Sequence, residues 1–275
     1  MSTTSLRLIQ GSEAWHQHRA LYRNASETAA VMGLSPWVSP YQMWEVKTGR
    51  RAIELTYPMQ RGMALEPKAR AAYEEATGYI MEPAVMLDGD YSASLDGISL
   101  SGELLLEIKC PMKGQSGETW AKAVEGLVEQ HYLVQIQHQL MVTQAAKAHL
   151  YIYDGSVGIV VEVLPDTVIM DQIRTAWNDF MKLVASDTPP PLTPMDTVIR
   201  EDDAWKAAAE AFIASKQLAE DAAARAELAK TNLASLARHN SERGYGVSVC
   251  KFWRGRSNPK QEVRVTVTKQ EVASC

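Results

Sequence analysis

Residues 94–111 read SLDGISLSGELLLEIKCP, and no other stretch limits the fold as tightly. Asp96 stands before Gly97, which predicts a turn, and eleven residues on an apolar run carries Glu107, Ile108 and Lys109. Side chains alternate faces along a strand, so Glu107 and Lys109 share one face, while Leu104, Leu106 and Ile108 take the other and read as core. Charged groups in such a strand are costly unless paired or liganded. If 94–99 and 103–109 form a hairpin, Asp96 approaches Glu107, and two carboxylates and a lysine converge. That chemistry suits a hard cation held by oxygen, with a water-activating amine beside it. A Glu-x-Lys on a strand is also an ordinary surface ion pair, so the rest of the chain has to decide.

The 275 residues fit one large domain, or a domain with an appendage, and 46% hydrophobic residues support a real core. A net charge of −5 argues against indiscriminate coating of nucleic acid but allows a local basic channel. The sequence has no signal-peptide pattern and no apolar run long enough to span a membrane. Cys110, Cys250 and Cys275 show no ligand spacing, and an odd count excludes a complete disulfide framework. The expectation is a reduced, cytoplasmic protein. Six scattered histidines argue against zinc, and the lack of GxxxxGK[ST] excludes a built-in ATP motor.

Helix signals run from Ser26, read as an N-cap, to Gly33, from Ser39-Pro40 to Gly49, and across 59–77 to Gly78. A β region follows (YIMEPAVML, YSASLDG, ELLLEIK), then a helix over about 118–144, interrupted or bent near Gly126. A hairpin over 148–163 and a helix over 166–186 come next, the latter with Ile169, Ile173, Trp177, Phe180 and Leu183 on one stripe. The run TPPPLTP excludes helix and central strand, so 188–200 reads as a linker. Beyond it, 201–239 has strong helix propensity with a thin apolar stripe, and the tail reads as a β-hairpin. Between 243 and 264, Arg243, Lys251, Arg254, Arg256, Lys260 and Arg264 oppose only Glu262, interleaved with Phe252 and Trp253, a composition suited to phosphate contact and stacking or to a plain solvated hairpin.

Further candidates surround the strand. Glu66 lies on the helix over 59–77 and adds a third carboxylate if that helix packs on the β region. Tyr132 and Gln135, three apart, share a helix face, and a Gln there can reach a metal-bound water or a phosphate oxygen. Trp15, Arg19 and Ser26 precede a helix start, where backbone amides, a hydroxyl and a guanidinium make a phosphate pocket. Each also has an ordinary reading, as a solvent-facing Glu, a polar helix edge and a simple N-cap.

The Asp, spacer and Glu-x-Lys pattern resembles the PD-(D/E)XK nuclease core. AWHQHR…ASE at 14–27, RGMALEP at 61–67, SLDG at 94–97, LLEIKCP at 105–111 and HYLVQIQHQLMVT at 131–143 occur in the order and character of the phage lambda exonuclease and YqaJ-type viral recombinase nucleases. SPWVSPYQMWEVKTG at 35–49 looks especially like the YqaJ type, and the likeness covers roughly 10–187. The resemblance implies an α/β (α+β) fold with a central mixed sheet flanked by helices, as an exonuclease domain over 1–187 with a helical and β-hairpin extension over 201–275. It implies that Asp96 and Glu107 bind Mg²⁺ (or Mn²⁺), that Lys109 activates or orients water, and that Glu66 completes the acidic cluster. Gln135 and Tyr132 match the family's downstream Gln/Tyr motif, and Arg19 and Ser26 match its pocket for a DNA 5′-phosphate. The backbone carbonyl of Ile108, between the two key side chains, is a further candidate ligand. Leu95 stands where the family often has Pro, which implies a turn of different stiffness.

The implied activity is 5′→3′ exonuclease digestion of double-stranded DNA ends to leave 3′ tails, by a homotrimer working with a single-strand annealing protein in phage-type recombination. The setting is the cytoplasm of a bacterial host, with the protein phage or prophage encoded. A related endonuclease, a helicase-associated nuclease subunit and a non-catalytic DNA-end-binding protein remain as alternatives.

Overall fold

The computed structural model describes residues 4–6, 8, 12–254 and 260–268. Two compact units divide at Val198/Ile199. The first begins with β1 (Thr4–Leu6), α1 (Glu13–Leu21), β2 (Arg23–Asn24), α2 (Thr28–Val31), α3 (Pro40–Lys47) and α4 (Tyr57–Thr77). It continues with β3 (Met81–Asp88), β4 (Tyr91–Ser99), β5 (Leu104–Lys109), α5 (Glu118–Val124), α6 (Gln130–Thr143), β6 (Lys147–Tyr153), β7 (Gly158–Val163) and α7 (Thr167–Ala185). The sheet runs β1-β3-β4-β5-β6-β7, with β2 beside β4; the β5–β6 and β2–β4 pairs are parallel and the rest antiparallel. This is a central mixed sheet flanked by helices.

β5 lies in the middle of the first unit's sheet. Its even residues Leu104, Leu106 and Ile108 pack with Ala69 and Tyr73 of α4. Leu105 joins a larger core with Ile136 and Leu140 of α6 and with Ile173, Trp177 and Phe180 of α7. Both faces are therefore dry, as a strand with a parallel neighbour requires, and Glu107 is only 2% exposed. β4 pairs with β2 at its start (Asn24 opposite Ser92) and with β5 only near its end (Gly97 opposite Leu106). The two central strands separate just where Asp96 sits.

Gly97 is not a turn residue. It lies within β4, where a Cβ would come 2.7 Å from Met81 Cβ and 3.2 Å from Leu106 Cβ, so close approach of neighbours and not backbone bending requires glycine. The reversal comes later, at 100–103. Ser26 is not an N-cap: it lies in a 3₁₀ turn over Ala25–Glu27, and Glu27 precedes α2. The helical stretch expected over 118–144 is interrupted near Gly126 into α5 and α6, because Gly126 turns left-handed (φ 72°) and Glu129 is extended.

The proline-rich run packs on the first unit instead of standing apart. Pro190 is buried, Ser39 Oγ donates to Asp196 Oδ1 (2.5 Å), and Gln42 Nε2 donates to the Met195 carbonyl. The second unit holds α8 (Asp203–Leu236), one continuous helix capped by Asp202, and a three-stranded antiparallel sheet of β8 (Ser241–Gly244), β9 (Val247–Arg254) and β10 (Lys260–Val267). A hairpin is too few strands for this tail, because Ser241–Gly244 adds a third. Its basic side chains are partly engaged: Lys251 Nζ donates to the Ala237 carbonyl at the end of α8 (2.7 Å), and Arg254 pairs with Glu262 (3.5 Å). Arg256, Cys275 and the side chain of Lys260 lie outside the described residues.

A buried polar chain crosses the first unit. Trp177 Nε1 donates to Thr28 Oγ1 (3.1 Å), which contacts His138 Nδ1 (2.6 Å). Burial pushes the His138 imidazole down to about 3. Its folded value thus lies below the ordinary 6.5, so the stability it contributes is complete above pH 6.5 and is lost as pH falls from 6.5 toward 3. At pH 5 the loss amounts to about 2 kcal/mol. Thermal melts of wild type and His138→Gln run in parallel should show the wild type losing more of its melting temperature between pH 7 and pH 5. Equal losses would mean that His138 does not titrate between the two states.

Candidate active site

Asp96 comes from β4, Glu107 and Lys109 from β5, Glu66 from α4, and Tyr132, Gln135 and Gln139 from α6. Where β4 leaves β5, the Asp96 carboxylate takes over from the ladder: its Oδ2 accepts from Ile108 N at 2.7 Å. Glu107 Oε1 accepts from Lys109 Nζ (2.5 Å) and Gln135 Nε2 (2.7 Å), and its Oε2 accepts from Gln139 Nε2 (2.6 Å). Lys109 Nζ also lies 3.4 Å from Gln135 Oε1 and 5.0 Å from the centre of the Tyr132 ring. The buried Glu107 is thereby held in a fixed orientation by three donors.

Glu66 accepts from Arg70 Nη2 at 2.5 Å, and Arg70 Nε donates to the Asp96 carbonyl at 2.7 Å. Glu66 is therefore turned onto an arginine, and its influence on the centre is electrostatic. Burial, then Glu107 and Glu66, hold the Asp96 carboxyl well above the usual carboxylate range. Burial, opposed by Arg70 and reinforced by Glu107, also raises Glu66. For Lys109, burial works toward neutrality, but the negative groups around it, Glu107 foremost, outweigh that and raise its pKa. Lys109 is an ammonium here, a fixed charge and a proton donor, not a ready base.

Among the described residues, no three His, Cys, Asp or Glu side chains close around one point. The donors on offer are the carboxylates of Asp96 and Glu107, with the Ile108 carbonyl between them in sequence. All are hard oxygens, and the two acids repel one another. That set fits a cation such as Mg²⁺, which keeps several waters and takes only one or two carboxylates.

The Arg19 pocket adjoins this centre. Arg19 Nη1 donates to Ser26 Oγ (3.0 Å), its Nη2 pairs with Glu27 (2.9 Å), and its guanidinium stacks 4.6 Å over the Trp15 ring. Lys47 Nζ lies 2.7 Å from Glu27 Oε2 and donates to the Arg19 and Tyr22 carbonyls at 2.8 Å. Trp15 Nε1 donates to Ser94 Oγ (3.1 Å), and Gln139 Nε2 reaches the Ser94 carbonyl (3.4 Å) as well as Glu107. Ser94 and Asp96 share a face of β4, so pocket and acidic centre form one wall.

Every residue of this wall falls in one segment: residues 14–146 match the YqaJ-like viral recombinase domain family. This segment is similar to the YqaJ-like viral recombinase domain. An alkaline exonuclease from Laribacter hongkongensis has the same fold, with a TM-score of 0.54 and 26% identity over 64% of this chain and 94% of that one. The same figures hold for that exonuclease in complex with dAMP. A phage-related exonuclease from Haemophilus somnus 129PT aligns with a TM-score of 0.49 and 16% identity, over 61% of this chain and 96% of that one. No curated protein sequence matches the chain.

The YqaJ-like segment ends at 146, one residue before β6 begins, although β6 pairs with the whole of β5, Leu104 opposite Lys147 to Lys109 opposite Ile152. Residues after the match thus wall in the centre. Sequence reasoning overlooked four contributors. Gln139 is one helical turn after Gln135 and Arg70 one turn after Glu66, and that spacing was available as a signal. Glu27 and Lys47, beneath Arg19, had none, because only the fold brings α3 against α1.

Proposed function

We propose that the protein is a metal-dependent deoxyribonuclease that digests double-stranded DNA from its ends, 5′→3′, and leaves 3′ single-stranded tails for strand annealing. The observation that carries this reading is the convergence of Asp96, Glu107 and Lys109 where β4 and β5 separate, with Lys109 Nζ 2.5 Å from Glu107. The dAMP complex of the 26%-identical exonuclease adds support, since a nucleoside monophosphate is the product of such an enzyme. Mg²⁺, or Mn²⁺ in its place, supplies a bound water of lowered pKa and neutralises phosphate oxygens. Asp96, Glu107 and the Ile108 carbonyl hold it. Lys109 places positive charge beside the reacting phosphate, Gln135 and Gln139 fix Glu107, and Glu66 tunes the field through Arg70. Tyr132 backs the lysine. Arg19 and Ser26 receive the 5′-phosphate, and Lys47 helps balance Glu27 beneath them. None of these groups reads base edges, so cutting is sequence-independent.

The assembly that suits this role is a homotrimer on DNA with a single-strand annealing protein as partner, in the cytoplasm of a bacterial host and encoded by a phage or prophage. Among the described residues no helix is long and apolar enough to cross a membrane.

The test is a 5′-phosphorylated linear duplex, labelled separately at each end and incubated with Mg²⁺, beside a closed circular duplex. Loss of the 5′ label first, with the circle intact, is expected. Cutting of the circle would make the protein an endonuclease, and binding of ends without cutting would make it a non-catalytic end binder.

Arg19→Ala should slow digestion of 5′-phosphorylated ends about tenfold or more, and affect 5′-hydroxyl ends much less. A charge-assisted contact to phosphate has that worth, since hydrogen bonds to charged groups contribute about 1.5–3 kcal/mol. Initial rates on the two substrates measure it. Equal slowing would assign Arg19 a structural role through Glu27.

A further inference from the structure

Trp37 is 64% exposed, although it lies within the YqaJ-like segment and beside the active site. Its ring meets His131 at 4.9 Å with the planes 88° apart, and it lies 6.3 Å from the Tyr132 ring. In an edge-to-face contact one ring offers only its edge, so at least one face of the indole stays open, in agreement with its exposure. The Tyr132 ring lies 5.0 Å from Lys109 Nζ, so a single aromatic ring separates the indole from the catalytic ammonium.

The loop that carries the indole is braced. Ser35 Oγ accepts from the backbone N–H of Trp37 and of Val38, both at 3.2 Å. Pro36 restricts the backbone between them. Ser39 then caps α3 through a reciprocal capping box with Gln42, and Asp196 ties Ser39 from the other side. A large aromatic displayed to solvent on a braced loop gives up its hydrophobic burial but loses little further entropy when a flat partner stacks on it. The charge nearest to it favours an anionic occupant over an apolar protein partner: Lys109 lies just beyond the Tyr132 ring, and its ammonium addresses a phosphodiester.

We propose that Trp37 is a nucleobase platform, whose open indole face stacks on an unpaired base of the strand whose phosphate lies at Lys109. This rests on the nuclease reading and deepens it: the enzyme would engage a locally unpaired terminus, not an intact base-paired end. Successive nucleotides rise about 3.4 Å along a strand, so the stacked base lies within about three nucleotides of the phosphate opposite Lys109. Stacking needs only a π-face, so the platform accepts any base and keeps cutting independent of sequence.

The experiment uses the full chain and a fluorescent, 5′-phosphorylated duplex with its three terminal pairs mismatched, in Ca²⁺ to slow cleavage. Affinity is read by anisotropy for wild type, Trp37→Ala and Trp37→Phe. Each protein is tested against the intact duplex and against duplexes with one abasic site at each of the three terminal positions. Trp37→Ala should weaken binding of the intact duplex between about 5-fold and 150-fold, the range that one base–aromatic stack commands. Trp37→Phe should recover most of it. For wild type, one abasic position should cause a similar loss, and Trp37→Ala should then add nothing further. If the two losses multiply at every position, or if Trp37→Ala binds like wild type, the platform is overturned while the nuclease reading stands. If wild type neither binds nor cuts any duplex, both fall. A melting temperature for Trp37→Ala equal to that of wild type is expected for so exposed a side chain, and a drop of more than a few degrees would make the residue structural and overturn the proposal.

Discussion

Lys109→Ala should lower turnover by about 10²–10³-fold, the usual cost of removing one preorganised charge from a transition state. DNA affinity in Ca²⁺ should change no more than a few-fold. The reason for this split is geometric. The ammonium is held against Glu107 at 2.5 Å and backed by the Tyr132 ring, and the negative groups around it keep it charged despite burial. On the proposed nuclease reading it is one charge among several contacts to DNA, so binding should tolerate its loss. The reacting phosphate, which gains charge on the way to its pentacoordinate state, does not. Single-turnover cleavage and equilibrium anisotropy on the same duplex separate the two effects. Near wild-type cutting by the purified variant would remove Lys109 from the chemistry. A parallel collapse of binding would make it a ground-state contact.

Glu107→Ala should abolish activity, remove the heat of Mn²⁺ or Mg²⁺ binding in a calorimetric titration, and also destabilise the fold. At 2% exposure the carboxylate satisfies Lys109 Nζ, Gln135 Nε2 and Gln139 Nε2 together. Removing it leaves an ammonium and two amides without their acceptor, and breaking a buried pair this way costs about 3–5 kcal/mol. For a unit of this size that corresponds to roughly 10 °C of melting temperature. Asp96→Asn is the informative contrast. Burial and two neighbouring acids already disfavour the Asp96 charge, so neutralising it relieves the metal-free fold. Its melting temperature in chelator should equal or exceed that of wild type while metal binding and cutting are lost. Such a trade of stability for activity marks a site whose ligands are strained without their cation. Intact metal affinity in both variants would place the cation elsewhere in the molecule.

The sequence by itself determined the parts of this protein that depend on period and local chemistry. Alternation along 103–109 placed Glu107 and Lys109 on one face, and the 3.6-residue period placed Ile173, Trp177 and Phe180 in the core. Ser39-Pro40 announced α3, and Gly78 ended α4. The helix spacing of Tyr132 and Gln135 put both beside Lys109. These are one-dimensional signals, because each is carried by neighbours in the chain.

Tertiary structure decided the rest. The expected antiparallel pairing of β4 with β5 is present and its register (Gly97 opposite Leu106, Ile98 opposite Leu105) carries Asp96 to Glu107, but the ladder stops there, and the Asp96 carboxylate takes the Ile108 N–H where the strands part. No local rule foretells a splay between strands, since it depends on β2 capturing the first half of β4. Gly97 read as a turn because glycine's conformational freedom and its lack of a side chain look identical in a sequence; only Met81, packed 2.7 Å from the absent Cβ, tells them apart. Glu27 and Lys47 under Arg19, and β6 completing the wall of β5, are likewise contacts between distant segments, fixed by packing and not by any spacing along the chain.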